Sequence, residues 1–235
     1  MSLAKEFAVR YAGLRQAYGT FTASNETRED GKASGKNITI SKELSDSDLL
    51  KLWEDHLSGH QSVGIVAIDE HNTCVWGAID VDEYQLDLKD LAIKIAKQKL
   101  PLVLCRSKSG GAHIYIFLTE PVSASMLQRK LRQIAAAIGY GQVEIFPKQT
   151  KLLLDRGDRG STLNMPYFGG ENSTRYAYGK DGNALTPEEF LNYTKEIELK
   201  PSALERLEAS PLNETMNWLD QAPPCIQHLV VQGFP

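Results

Sequence analysis

Cysteine is scarce in this chain and follows no pattern. Cys74, Cys105 and Cys225 stand far apart, which excludes both a disulfide framework and a cysteine-based zinc motif. Long apolar runs are missing too. No stretch approaches the roughly 18–20 residues that a membrane helix needs, and the opening MSLAKEFAVRY is amphipathic, without the apolar core of a signal peptide. A cytoplasmic protein with no membrane partner is the expectation. Internal repeats and low-complexity tracts are absent as well. Positive charge is in deficit, with 26 Lys/Arg against 30 Asp/Glu and a net charge of −4. As a bulk figure that argues against nucleic acid.

The deficit is not uniform. Residues 94–180 carry 14 Lys/Arg against 5 Asp/Glu, and the remainder carries 12 against 25. A basic central third between acidic flanks is an electrostatic footprint for phosphates, with scattered solvated charge as the plain alternative. At 235 residues and 42% hydrophobic content, the chain can bury a proper core as one large domain or two small ones.

Hydrophobic spacing predicts the elements. Phe7, Tyr11, Leu14 and Tyr18 predict a helix from about Ala4 to Tyr18, stopped at Gly19. Residues 20–36 are polar and rich in Gly and Ser and read as a mobile loop, with a short strand NITI after it. Leu49, Leu52, Trp53 and Leu57 mark a second helix ending near Gly59. SVGIVAID and TCVWGAID read as two strands around a turn at 70–72. From Thr73 onward the order is strand, helix (Leu88 to Ala96), strand (PLVLCRS), strand (AHIYIFL), helix (Leu127 to Ile138, with Ser123 as N-cap) and strand (QVEIF). This is β-α-β-β-α-β, the split βαβ pattern of ferredoxin-like and RNA-recognition-type sheets. Thr186-Pro187-Glu188-Glu189 starts another helix. The acidic tail from 186 onward should be mostly helical, with a fresh apolar helix beginning in QAPPCIQHLVVQGFP. The expected class is α+β. An N-terminal α/β part (about 1–60) packs on an RRM-like antiparallel sheet (about 61–200), and a helical tail (201–235) follows.

The strand WGAIDVD, residues 76–82, ends by placing Asp80 and Asp82 on one face, because side chains two apart project together. Adjacent acids raise each other's pKa unless a cation lies between them. In a split βαβ sheet of order 4-1-3-2, the end of the first strand neighbours the beginnings of the third and fourth. Those carry His113 and Glu144, so two aspartates, a glutamate and a histidine should meet at one edge. Three carboxylates suit one or two Mg²⁺ or Mn²⁺ ions, and a single histidine without a cysteine pair disfavours zinc. For the aspartate pair alone, an exposed turn or a lone Ca²⁺ site is the alternative.

RSKSGGAH supplies a second constellation. Gly110 and Gly111 let the backbone approach an anion, Ser107 and Ser109 offer hydroxyls, and Arg106 and Lys108 add charge. His113 can donate to a phosphate oxygen. A plain Gly-rich hairpin is the alternative. Lys148 and Lys151 can reach phosphates or a template. Arg156, Arg159, Asn164 and Tyr167 belong to a loop that can track a nucleic-acid backbone while Tyr167 or Phe168 stacks on a base, although Met165, Tyr167 and Phe168 equally suit a core. Arg175 is a further phosphate ligand on the nucleic-acid side.

WGAIDVDEY, RSKSGGAHIYIF, VEIFPKQT and LNMPYFGG…TRYAYG, in this order, resemble the archaeo-eukaryotic primase superfamily, specifically the prim-pol proteins of phages and mobile plasmids, over roughly residues 7–195. The segments YAGLRQAYGTF and LWEDHLSGHQSVGIVAI are similar to these enzymes as well. The resemblance implies that residues 1–200 form a catalytic domain making DNA, and often primers, from nucleoside triphosphates by two-metal phosphoryl transfer. It implies Asp80, Asp82 and Glu144 as metal ligands and His113 as a contact to the incoming nucleotide's phosphates. Single-stranded DNA template, primer and dNTP or NTP are the implied partners. A helicase domain or protein is an optional further one, a monomer is the default state, and a phage-encoded protein would work in the host cytoplasm. Residues 201–235 would lead into the helical domain that follows the catalytic core in longer relatives. The chain departs from the family pattern twice. Gly111 stands where many members have serine two residues before the histidine, leaving Ser107 or Ser109 to take its part, and the zinc-binding element that members often carry is missing. Two other readings stay open: a non-catalytic single-strand-binding module on the same sheet, and a metal-dependent glycosyltransferase using the DxD pair.

Overall fold

The computed structural model describes residues 1–27, 33–83 and 85–212. Two four-stranded sheets organise a mixed α+β chain. Helix α1 (Leu3–Arg10) starts at Ser2, whose hydroxyl accepts from the Lys5 amide. It ends eight residues earlier than its apolar spacing predicts. The backbone at Gly13 lies against Val66, so close that a Cβ would stand 2.0 Å from the Val66 carbonyl oxygen, and the Leu14 amide donates to that oxygen. Tyr11 and Leu14 are still buried, so the spacing marked a buried face that outlasts the helix.

Residues 20–27 and 33–36, read as parts of a mobile loop, form strands instead. Strand β1 (Ala17–Thr27) pairs antiparallel with β2 (Ala33–Ser41), from Ala17 opposite Ser41 to Thr27 opposite Ala33, and NITI lies inside β2. Polar composition hid the pairing, because β1 and β2 are rich in Thr, Ser and Gly and lack an apolar alternation. Helix α2 (Asp46–Leu57) opens on a capping box between Ser45 and Asp48. Strands β3 (Val63–Val66) and β4 (Thr73–Val81) flank the predicted turn but do not pair with each other. Strand β3 joins β1, and the turn, held by Asp69 accepting from the His71 and Thr73 amides, passes the chain to the second sheet.

The second sheet follows the expected split βαβ order. Helix α3 (Leu88–Lys97) precedes β5 (Val103–Arg106) and β6 (Ala112–Ser123); helix α4 (Ala124–Ala137) precedes β7 (Glu144–Phe146). The order is β5-β6-β4-β7, antiparallel throughout. Strand β8 (Thr162–Asn164) returns to the first sheet beside β3. Helices α5 (Pro187–Ile197) and α6 (Pro201–Arg206) follow. The apolar helix expected in the last fifteen residues lies outside the described residues.

The two faces of the second sheet bury different cores. Ile79, Val81, Ile114, Ile116 and Ile145 face α3 and α4. Trp76, Ala78, Tyr115, Phe117 and Phe146 face the first sheet, where Phe7, Tyr11, Trp53, Tyr167 and Phe190 form one aromatic cluster. Burying one such side chain stabilises the fold by roughly 1.5–3 kcal/mol.

His56 pins this arrangement. It is fully buried; Nδ1 accepts from the Val63 amide, so the Nε2–H donates to the Pro166 carbonyl. Burial, with some repulsion from Arg175, pushes its pKa down to about 4, against the hydrogen bond to Pro166. The unfolded chain binds a proton here near pH 6.5, while the folded chain refuses it down to about pH 4. Stability contributed by neutral His56 is therefore present above pH 6.5 and is lost as pH falls toward 4. We expect about 2 kcal/mol of this loss between pH 7 and pH 5. Urea unfolding at the two pH values should show a correspondingly smaller pH difference for His56→Gln, whatever its stability at pH 7.

Candidate functional site

Asp80 lies one residue before the end of β4, where that strand is paired on both edges. Register sets it opposite His113 of β6 on one side and Glu144 of β7 on the other. Directly opposed residues share a face, so two carboxylates and an imidazole start from one row across the sheet. That row lies on the face turned toward the first sheet.

The side chains then diverge. Asp80 and His113 are nearly buried, with 12% and 9% of their side chains exposed. His113 Nε2 stands 3.3 Å from Asp80 Oδ1, and Nδ1 is 3.1 Å from the Tyr115 hydroxyl. The Asp80 contact lies within ion-pair range but lacks hydrogen-bond geometry, which leaves the buried Oδ1 without a partner among the described residues. A buried oxygen left unsatisfied costs about 1–3 kcal/mol, more if charged. Asp82 is exposed and accepts from the Ser109 hydroxyl at 3.3 Å. Glu144 is 59% exposed and turns to Lys148 Nζ at 2.5 Å. Among the described residues, no three His, Cys, Asp or Glu side chains are grouped to hold an ion. Asp80 and Glu144 share a row in the backbone, but the three acids do not share a focus. Their chemistry nonetheless fits a hard divalent cation, being carboxylate oxygens with one buried and unpaired. Engaging all three requires Glu144 to leave Lys148.

The loop between β5 and β6 is tightly wound. The Ser107 amide donates to the Gly111 carbonyl, and Gly110 sits at φ +101°, where a side chain is strained. A Cβ on Gly111 would fall 2.1 Å from the Val81 carbonyl oxygen. Serine has no room there, which explains the departure at this position. Ser107 Oγ and Ser109 Oγ lie 3.1 Å apart and continue to Asp82.

Lys108 leaves the same loop toward a cavity of about 630 Å³, which Phe21, Gln61, Phe168 and Arg175 also line. Arg175 is 9% exposed, its Nη1 is buried without a partner among the described residues, and its guanidinium lies 5.1 Å from the Phe168 ring centre. Burial lowers the Arg175 pKa. Partial burial, then repulsion from Arg175, pushes Lys108 down to about 8. An anion entering this cavity relieves both cations, which otherwise lie over aromatic rings, Lys108 over Phe21 and Arg175 over Phe168. Sequence reading placed Lys108 and Arg175 in different roles, whereas the structure brings them to one cavity. It missed Phe21, because residues 20–36 read as a loop.

The other candidates are scattered. Arg106 Nη1 donates to the Thr174 carbonyl. Tyr167 is in the aromatic core at 1% exposure; its hydroxyl donates to Leu185 O and accepts from the Ala177 amide, so neither ring face is free for a base. Met165 is core too, and of that trio only Phe168 faces the cavity. Lys151 and Arg156 are exposed. Arg159 donates to the Leu154 and Asp158 carbonyls, and Asn164 sits in β8 opposite Gly64.

A family model described as the archaeo-eukaryotic primase domain of the TOTE conflict system matches residues 6–199. Among solved structures, the polymerase domain from Mycobacterium tuberculosis ligase D, in complex with DNA, is similar over 83% of this chain and 86% of that chain, at 16% identity and a TM-score of 0.39. No curated protein matches the sequence.

The cavity generates a test of its own. Removing a buried, unpaired charge relieves a desolvation penalty. Arg175→Met is therefore expected to keep or raise the thermal unfolding midpoint while losing the upward shift that tripolyphosphate gives the unsubstituted protein. Differential scanning fluorimetry with and without the anion checks both halves.

Proposed function

The chain belongs to the archaeo-eukaryotic primase family, and from that premise we propose that it is a primase-polymerase core joining nucleoside triphosphates on a single-stranded DNA template. The observation that carries this reading is the row Glu144–Asp80–His113, set by register, in a chain that also holds Lys108 and Arg175 in one cavity. Asp80, Asp82 and Glu144 are assigned as ligands of Mg²⁺ or Mn²⁺. When bound, such ions activate an attacking 3′-oxygen and neutralise charge on a leaving pyrophosphate.

The chain's own groups do the positioning. His113, held by Tyr115, lies against Asp80 at the edge where the triphosphate enters. Lys108 and Arg175 take phosphate charge, with Arg106, Lys148, the Ser107 and Ser109 hydroxyls and the amides of Gly110 and Gly111 around them. Phe21 and Phe168 flank the base. Lys151, Arg156, Arg159 and Asn164 face the template backbone. Residues 1–200 are the catalytic domain in this reading, and residues 201–235 lead onward to a further helical part. Family membership sets the glycosyltransferase reading aside.

A non-catalytic single-strand-binding module is the competing reading, favoured by the lack of an ion-ready cluster among the described residues. Against it, a binding module gains nothing from a buried carboxylate without a partner. Incubation with primed and unprimed single-stranded template, Mn²⁺ or Mg²⁺ and labelled dNTPs separates them. Asp80→Asn should lower incorporation by about three orders of magnitude or more while template affinity stays within about twofold. Template binding without incorporation under either metal selects the binding module. Template affinity should fall steeply with salt, and Lys151→Ala or Arg156→Ala should each reduce the log–log salt slope by about one.

A further inference from the structure

Each acid of the site is engaged by a different group from the set that offers itself to phosphate. Asp80 faces His113 at 3.3 Å, Asp82 faces Ser109 at 3.3 Å, and Glu144 faces Lys148 at 2.5 Å. The Ser109 and Lys148 contacts each tie up a carboxylate a cation needs together with a donor a polyphosphate needs, whereas His113 lies against Asp80 without a hydrogen bond. Only the Lys148 contact is a full ion pair between solvated groups, with 34% of the lysine and 59% of the glutamate side chain exposed. Such pairs contribute little stability and open readily. The backbone beneath Lys148 is fixed, because Gln128 Nε2 donates to the Pro147 and Lys148 carbonyls at 2.8 and 2.7 Å. The ammonium can swing while its root stays in place. The Nζ lies 5.0 Å from the ring centre of Phe146, within cation–π range.

Resting on the function proposed above, we propose that Lys148 is a displaceable counter-cation. It holds Glu144 when substrate is absent, gives way when a divalent ion takes that carboxylate, and presents the freed ammonium to the triphosphate. No loop or domain has to move. Metal and nucleotide then bind with positive coupling, since each removes the partner that obstructs the other.

The test is Mn²⁺ binding to the full chain without nucleotide, followed by the electron paramagnetic resonance of free Mn²⁺. Removing a positive charge beside a cation site should tighten it, so Lys148→Met is expected to bind Mn²⁺ roughly tenfold more tightly than the unsubstituted protein. Lys148→Arg should bind like the unsubstituted protein. In a Glu144→Gln background the gain from Lys148→Met should vanish, because it acts through that carboxylate. Mn²⁺ affinity that is unchanged or weaker in Lys148→Met overturns the proposal alone, and so does a gain that survives Glu144→Gln. Absence of Mn²⁺ binding in both the unsubstituted protein and Lys148→Met overturns the proposed function as well.

Discussion

Hydrogen bonding of β4 along both its edges is the constraint on which the site depends. Pairing with β6 and β7 puts Asp80 directly opposite His113 and Glu144 at once. A strand alternates its faces residue by residue, so a slip of one position would send Asp80 into the apolar layer under α3 and α4 and turn Ile79 and Val81 to the face that holds Trp76 and Ala78. The two cores prevent that slip. Trp76 and Ala78 belong to the aromatic side, and Ile79 and Val81 to the aliphatic side. The register of the row is thus enforced by apolar packing along the same strand.

The chain tolerates unfavourable electrostatics around the row and the cavity. Among the described residues, Asp80 keeps a buried oxygen without a partner, Arg175 keeps a buried Nη1 without one, and Lys108 is pushed toward neutrality. None of these is a way to gain stability, since unpaired buried charge destabilises. The aromatic cluster of Phe7, Tyr11, Trp53, Tyr167 and Phe190 lies between the helices and the two sheets and supplies compensating burial. His56 ties α2 to β3 and to the Pro166 segment through neutral hydrogen bonds. Local strain at a site, offset by a conventional core, is the pattern expected where structure serves binding.

Much of the second sheet was legible from the sequence. Its helices carry apolar stripes at helical spacing, such as Leu88, Leu91, Ala92 and Ile95, and its strands are dense in Val and Ile, as in AHIYIF. The first sheet was not. Residues 17–41 are polar, and their strand character comes from pairing with each other and, through Gly19 and Thr20, with Gly64 and Val63 of β3. The stretch from Tyr11 to Tyr18 failed for the opposite reason, as its apolar spacing belongs to a buried segment that leaves the helix at Arg10. Tyr167 shows the same ambiguity at one residue: an aromatic in a basic loop reads as a base-stacking platform until neighbours cover both its faces.

The sequence by itself determined the order of elements in the second sheet and, through that order, which residues stand opposite one another: Asp80, His113 and Glu144. Periodicity and topology are local or combinatorial properties, readable along a line. Only the tertiary structure decided where side chains end up once those backbone positions are set. It turned Glu144 to Lys148, closed Gly111 against Val81, and brought Phe21, Lys108 and Arg175 from three distant segments to one cavity. Those outcomes depend on which charges and surfaces lie within a few ångströms in space, and sequence separation carries no record of that distance.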